Sequence, residues 1–279
     1  MAEITATEVG KLREITGAGL MDCKKALMEA NGDSNVAVDI LRKKGIASAT
    51  KKSAREAKEG LIVKFVQPGE RLGILVELNC ETDFVARNET FRAFSEDVAR
   101  KLTANPNADL EADRVAAAAK FGENIKISRH QRLEVSGHGM VAAYIHTGAK
   151  VGVLVEVGAG KEATVGQEEF KQLVRDITLQ IAAAHPYVVT RDQVDPAVIS
   201  KEKEIAAEQA KNRPPQAIAK IVEGKLEKFY QTYCLVDQGF VKRNSEVSVK
   251  EHAASVAKQL GDEILIRRFV RFQVGELQS

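Results

Sequence analysis

Apolar residues in the first 45 positions recur every three or four places, the spacing that lines one face of a helix. Val9, Leu12 and Ile15 form the inner stripe of a first helix, opened by a capping box of Thr5 and Glu8. Leu20, Cys23, Leu27 and Ala30 follow at steps of 3, 4 and 3 and stop at Asn31-Gly32, residues suited to a left-handed helix end. Val36, Ala37, Ile40 and Leu41 supply a third helix. A bundle of about 45 residues is near the lower limit of independent stability, so its use is docking rather than chemistry. The cationic segment from Lys43 to Lys58, poor in large apolar residues, reads as a partly helical linker.

Beyond residue 60 the pattern changes to extended apolar runs followed by a helix, and it does so twice. Sliding the sequence on itself by 79 residues places Gly60 on Gly139, Gly69 on Gly148 and Gly73 on Gly152. The same ungapped offset aligns Leu75-Val76-Glu77 with Leu154-Val155-Glu156, then Glu89, Phe91, Asp97 and Ala104 with Glu168, Phe170, Asp176 and Ala183. Ten identities in 45 positions predict two copies of one unit, each a strand, a glycine turn, a second strand and a covering helix. Phe91, Phe94, Val98 and Leu102 form the buried face of the first helix, and Phe170, Val174, Ile177 and Ile181 that of the second.

Residues 190–229 turn helical again. Val198 and Ile205 sit seven apart on one arm, and Ile218, Val222, Leu226 and Phe229 step 4, 4, 3 along the other, the signature of an antiparallel coiled-coil hairpin with Pro214 and Pro215 at its turn. The tail offers one more helix, 247–260, and a strand with Ile266, Val270, Phe272 and Val274 on one face, which completes a core sheet. The fold class is α+β, in five stretches: 1–56 bundle and linker, 57–138 first core subdomain, 139–189 start of the second, 190–229 hairpin, and 230–279 completion of the second.

Composition narrows the function. At 279 residues the chain exceeds one typical core. It has no run of eighteen apolar residues, so no membrane role is expected. Its start lacks the basic-then-apolar pattern of a secretory signal, so the mature chain is expected to begin at Met1. Cys23, Cys80 and Cys234 are too sparse for a disulfide framework or a Cys-x-x-Cys site, which fits a cytoplasmic location. The balance of 41 Lys and Arg against 39 Asp and Glu supplies no global field for nucleic acid, and a protein or small-molecule partner is favoured. No P-loop occurs, since Gly158-Ala159-Gly160-Lys161 is followed by Glu162, and the five histidines show no metal-ligand spacing. We therefore expect no catalytic residue, metal or cofactor; Cys80, at a strand end, is assigned no chemistry.

The two copies differ at one connection. Where the first has Thr82, Asp83, Phe84, Val85 and Ala86, the second has Lys161, Glu162, Ala163, Thr164 and Val165, so the shared scaffold does not require Phe84. Phe84 either packs back onto its own helix or stands out as an anchor for a partner's pocket. Separate contact modules of this kind suit one large partner; a structural or RNA-associated interaction protein using the bundle and basic linker is the alternative.

Two stretches now reached, TGAGLMDCKKALMEANGD (16–33) and ELNCETDFVARN (77–88), closely resemble the elongation factor Ts family of bacterial and organellar translation, and the likeness runs in register through HTGAKVGVLVEV, IVEGKLEKF and RFVRFQVGE. The resemblance implies a factor that binds elongation factor Tu, GDP-bound and nucleotide-free, in a 1:1 or 2:2 complex, and speeds GDP release, with no enzymatic pocket. It also implies a ubiquitin-associated-like bundle ahead of two related subdomains. By resemblance, Thr82, Asp83, Phe84 and Val85 are the loop that presses into the partner's nucleotide domain and disturbs its magnesium, with Lys24 and His146 as further contacts. Some members continue with a helix that reaches the partner; this chain ends soon after Gly275-Glu276, and that contact is not expected.

Overall fold

The structure is a computed structural model that describes residues 4–276, apart from the side chain of Pro215. The readings of the chain's first three residues and of its end beyond Glu276 fall outside that range. In chain order the helices are α1 (Ala6–Thr16), α2 (Leu20–Glu29), α3 (Ser34–Lys52), α4 (Asp83–Ala86), α5 (Glu89–Ala104), α6 (Glu111–Phe121), α7 (Glu162–Val165), α8 (Glu168–Ala184), α9 (Pro196–Ala210), α10 (Pro215–Tyr233) and α11 (Val249–Leu260). The strands are β1 (Glu59–Val66), β2 (Leu72–Cys80), β3 (Lys126–Glu134), β4 (Gly139–Ile145), β5 (Val151–Ala159) and β6 (Ile264–Gln273). They form two small antiparallel sheets, ordered β1-β2-β3 and β4-β5-β6, in a mixed helix-and-sheet fold. The chain divides into two compact units: residues 4–63, 76–130 and 273–276 make one, and residues 64–75 and 131–272 the other.

In the first unit, the Thr5 hydroxyl accepts the Glu8 N–H while the Glu8 carboxylate accepts the Thr5 N–H at 2.8 Å, closing the expected capping box. Val9, Leu12, Cys23, Ala26, Leu27, Ala30, Ala37 and Leu41 make the bundle core. Three apolar residues of the expected helix stripes are not inside: Ile15 is 72%, Leu20 50% and Val36 47% exposed. Steps of three lag behind the 3.6-residue turn, so the third residue of a 9-12-15 stripe rotates off the buried face. The 43–58 segment is no linker in its first ten residues, because α3 runs to Lys52, buries Ala49 and packs on α6.

In the second unit, Met140, Val153, Val155 and Val157 of the β4-β5 hairpin meet Phe170, Val174, Ile177 and Ile181 of α8, with Phe240, Val249 and Ile266 closing the core. Helices α9 and α10 pack on each other, but Ala206 and Ala210 are the buried residues of α9, whereas Ile205 lies at the edge of the seam. Small residues let the two backbones approach where a larger one would hold them apart. The hairpin leaves and re-enters at one point: the N–H groups of Leu235 and Val236 bond the carbonyls of Val188 and Val189 at 2.9 and 3.1 Å.

Two details recur in both sheets. Gly60 (φ 148°) and Gly139 (φ 152°) lie where a Cβ would sit 2.1 Å from the Leu78 carbonyl oxygen and 2.4 Å from that of Val157. Strand meets strand too closely there for any side chain. Glu77 and Glu156 are buried carboxylates, and each accepts an arginine Nε–H at 2.6 Å, from Arg129 and Arg268 respectively. Their second oxygens accept the N–H of Gly275 and of Ser136, both at 3.0 Å.

Replacing Gly60 or Gly139 with Ala is expected to cost about 2 kcal/mol or more in urea unfolding, against about 1 kcal/mol for Gly69→Ala, where φ is 87° and the space is open. A pH effect follows from Glu156. Burial pushes its carboxyl up, but the Ser136 N–H and the guanidinium groups of Arg267 and Arg268 outweigh burial and hold it below the ordinary 4.5. Its contribution to stability is complete above that ordinary value and lost as pH falls through the lower folded-state value. Glu156→Gln should be less stable near neutrality and show a shallower loss on acidification below 4.5 than the intact chain.

Candidate functional site

Every residue of β2 is buried, so the chain leaves the sheet at Cys80 with no freedom to drift. Thr82 then takes an extended conformation and caps the single turn α4, its hydroxyl accepting the Val85 N–H at 3.4 Å. Asn88 caps α5 directly afterwards by accepting the Thr90 N–H at 2.8 Å. The expected turn is thus a one-turn helix between two caps. Ala86 faces inward and is buried, Val85 is half-buried, and Phe84 points away from the protein with 83% of its surface exposed. Phe84 does not pack back onto its own helix. Asp83 forms an ion pair with Arg87 at 3.0 Å, exposed and worth little on its own.

The turn is held from outside by Glu123, just past the left-handed Gly122 that ends α6. One carboxylate oxygen accepts the N–H groups of Glu81 and Thr82 at 2.9 and 3.0 Å, and the other accepts the Thr82 hydroxyl at 2.5 Å. In return the Asn124 N–H donates to the Glu81 carboxylate at 2.6 Å, and the buried Asn124 amide donates to the Arg55 carbonyl at 2.7 Å. Beneath the turn the Cys80 thiol, fully buried, donates to the Thr82 carbonyl at 3.1 Å, a structural placement rather than an exposed nucleophile.

The other unit has a comparable turn, α7, without the aromatic residue. Asp262, after the left-handed Gly261 that ends α11, accepts the Lys161 N–H at 2.9 Å and the Thr164 hydroxyl at 2.5 Å. Ala163 occupies the exposed position there. Neither Glu123 nor Asp262 was singled out from the sequence. The signal was present in Gly122-Glu123-Asn124-Ile125 and Gly261-Asp262-Glu263-Ile264, which stand 139 positions apart and escape a search at an offset of 79.

Lys24 is exposed on α2, in the same unit as the Thr82–Val85 turn, and shares its helix face with exposed Leu20, Met21 and Met28. His146 is exposed at the β4-β5 turn in the other unit, where its Nδ1 lies 3.0 Å from the Tyr144 hydroxyl and its N–H bonds the Val151 carbonyl. A cleft of about 530 Å³ between α8 and α11 is lined by Gln172, Asp176, Phe240, Lys242 and His252, and its central charges already neutralise each other, Lys242 lying 2.6 Å from Asp176. Among the described residues, no group of three or more His, Cys, Asp or Glu could hold a metal ion, and no helix is long and apolar enough to cross a membrane.

An exposed aromatic residue on a fixed backbone should matter little to stability. Phe84→Ala is expected to shift unfolding by less than about 0.5 kcal/mol, whereas Phe91→Ala, which empties a site with no exposure, should cost about 3–5 kcal/mol in the same denaturant titration.

Comparison with known proteins gives one consistent result. The model of the family described as elongation factor TS matches residues 81–276. Elongation factor Ts of Symbiobacterium thermophilum is 45% identical, with 99% of this chain and 93% of that protein covered. The proteins of the same name from Nostoc sp. and Clostridium kluyveri are 42% and 40% identical, with 99% and 98% of this chain and 94% and 93% of theirs covered.

Proposed function

The chain belongs to the elongation factor Ts family of translation elongation factors, and from that membership we propose that it binds elongation factor Tu in its GDP-bound form and drives GDP out with the Thr82–Val85 turn. The observation that carries this reading is Phe84, 83% exposed on a backbone held by a carboxylate. GDP is retained by a phosphate-cradling loop and by magnesium, which demands near-octahedral oxygen coordination and tolerates displacement badly. A rigid aromatic wedge that shifts the partner's helices by a small distance spoils both. Asp83, beside it, brings negative charge toward the phosphate and metal site.

Linkage sets the size of the task. A factor that weakens GDP binding must bind the nucleotide-free partner more tightly by the same factor, and nucleotide in turn expels it. A thousandfold effect needs roughly 4 kcal/mol, whereas burying one Phe contributes about 1.5–3. Other contacts must supply the remainder. The α2 face with Leu20, Met21, Lys24 and Met28 suits an apolar docking surface with one cation, and His146 is a second contact on the other unit. The alternative RNA-associated reading is weakened by α3, whose basic residues belong to a packed helix without an aromatic platform.

The same reading extends to the architecture. The bundle is a ubiquitin-associated-like docking module. The core is two copies of one unit, β1-β2-α5-α6-β3 and β4-β5-α8-α11-β6, the second interrupted by the α9-α10 coiled-coil hairpin. The matched glycines, the matched Glu–Arg pairs and the matched carboxylates after α6 and α11 support this assignment.

Catalytic amounts of the protein should accelerate release of fluorescently labelled GDP from elongation factor Tu. Phe84→Ala should lower that acceleration about tenfold or more, and Leu20→Ser combined with Met28→Ser should weaken binding. Release no faster than the spontaneous rate with the intact chain would reject the reading.

A further inference from the structure

We infer that Glu123 is a positioning residue for nucleotide exchange, its carboxylate stiffening the Thr82–Val85 turn so that the wedge moves the partner rather than itself. The inference rests on the exchange reading above. A single helical turn has almost no stability of its own, because nucleation fixes several residues for one hydrogen bond. Phe84 contributes nothing to holding the turn, since it is exposed, and the Asp83–Arg87 pair is a surface ion pair. Beside the Thr82 and Asn88 caps, the buried Ala86 and the Cys80 thiol under the Thr82 carbonyl, the turn is gripped from a distant part of the chain by the three bonds to Glu123 at 2.5–3.0 Å. Those bonds are charge-assisted and grip the backbone itself at the turn's first residue.

The clamp is anchored. Asn124, 1% exposed, ties the residue next to Glu123 to the carbonyl of Arg55, beyond the end of α3, and its N–H returns a bond to Glu81. Glu123 therefore cannot swing with the turn. The mechanical consequence concerns rate more than affinity. When two bodies are pressed together the softer one deforms, and a misplacement of about 1 Å in a working geometry can cost about a hundredfold. A loosened turn still buries Phe84 but delivers a smaller displacement to the nucleotide site. Asp262 supplies an internal control, because it grips the turn that carries Ala163 and no wedge.

The test compares full-length Glu123→Ala, Glu123→Gln and Asp262→Ala with the intact chain and Phe84→Ala. Two quantities are measured: the GDP release rate at saturating factor, and the affinity for nucleotide-free elongation factor Tu. Glu123→Ala is expected to lower the saturating rate about tenfold while affinity changes less than about threefold. Amide exchange at Thr82 and Val85 should accelerate in the same variant. Glu123→Gln, whose amide oxygen can still accept both N–H groups, should recover most of the rate, and Asp262→Ala should retain it. A Glu123→Ala protein with a loosened turn and full exchange rate would overturn the inference, as would equal losses of rate and affinity. Should Glu123→Ala fail to fold, Glu123→Asp, one methylene too short to reach both N–H groups, is read by the same two measurements. An intact chain without activity, or a fully active Phe84→Ala, would instead sink the exchange reading itself.

Discussion

A buried carboxylate cannot stay unpaired, and in each sheet that requirement fixes which residues face each other. Glu77 meets Arg129 and Glu156 meets Arg268, both at 2.6 Å through arginine Nε. For Glu77 and Arg129, both largely buried, removing one partner costs about 3–5 kcal/mol, and for Glu156 and the half-exposed Arg268 less, so a shifted strand register is disfavoured. Five residues beyond Glu77 lies Thr82, and six residues before Arg129 lies Glu123; the strands run in opposite directions, so both counts proceed toward the same end of the sheet. The pair in the sheet thereby brings the clamp opposite the turn. The same counts from Glu156 and Arg268 lead to Lys161 and Asp262, which also meet.

What rises from that frame is a division of labour between residues that fix the backbone and residues that do not contribute to the fold at all. Thr82, Ala86, Asn88 and Glu123 determine where the turn sits; Phe84, exposed on top of it, is the residue that the proposed exchange mechanism uses. Because the second turn is also held by a carboxylate, with Ala163 on top, the grip on the turn does not depend on an aromatic residue at the exposed position. In the exchange mechanism proposed here, the ordering cost is met during folding, before the partner arrives.

Much of this was legible in the sequence because it depends on local periodicity or local capping. Thr5 with Glu8, Asn31-Gly32 and the apolar faces of α5 and α8 announce themselves within a few residues. Phe84 could be singled out because the sequence laid on itself at an offset of 79 places Ala163 opposite it. The failures share a different cause. Ile15 and Leu20 fit a helical stripe, yet which side of a short helix is covered depends on its neighbours, and α2 turns a broad apolar face outward. Ala206 and Ala210 carry too little hydrophobic signal to mark a seam that the spacing of Val198 and Ile205 assigns to larger residues. Glu123 lies 41 residues from Thr82 in sequence, and nothing local distinguishes a clamping glutamate from a solvated one. Its counterpart Asp262 is displaced further by the hairpin, which hides the correspondence from an ungapped comparison.

The paired entrance and exit of that hairpin carry an evolutionary consequence. Val188 and Val189 are bonded to Leu235 and Val236, so the core is closed beneath the two arms. Length can then be gained or lost at the tip around Arg213 and Pro214 in whole turns, with no strain passed to the sheet.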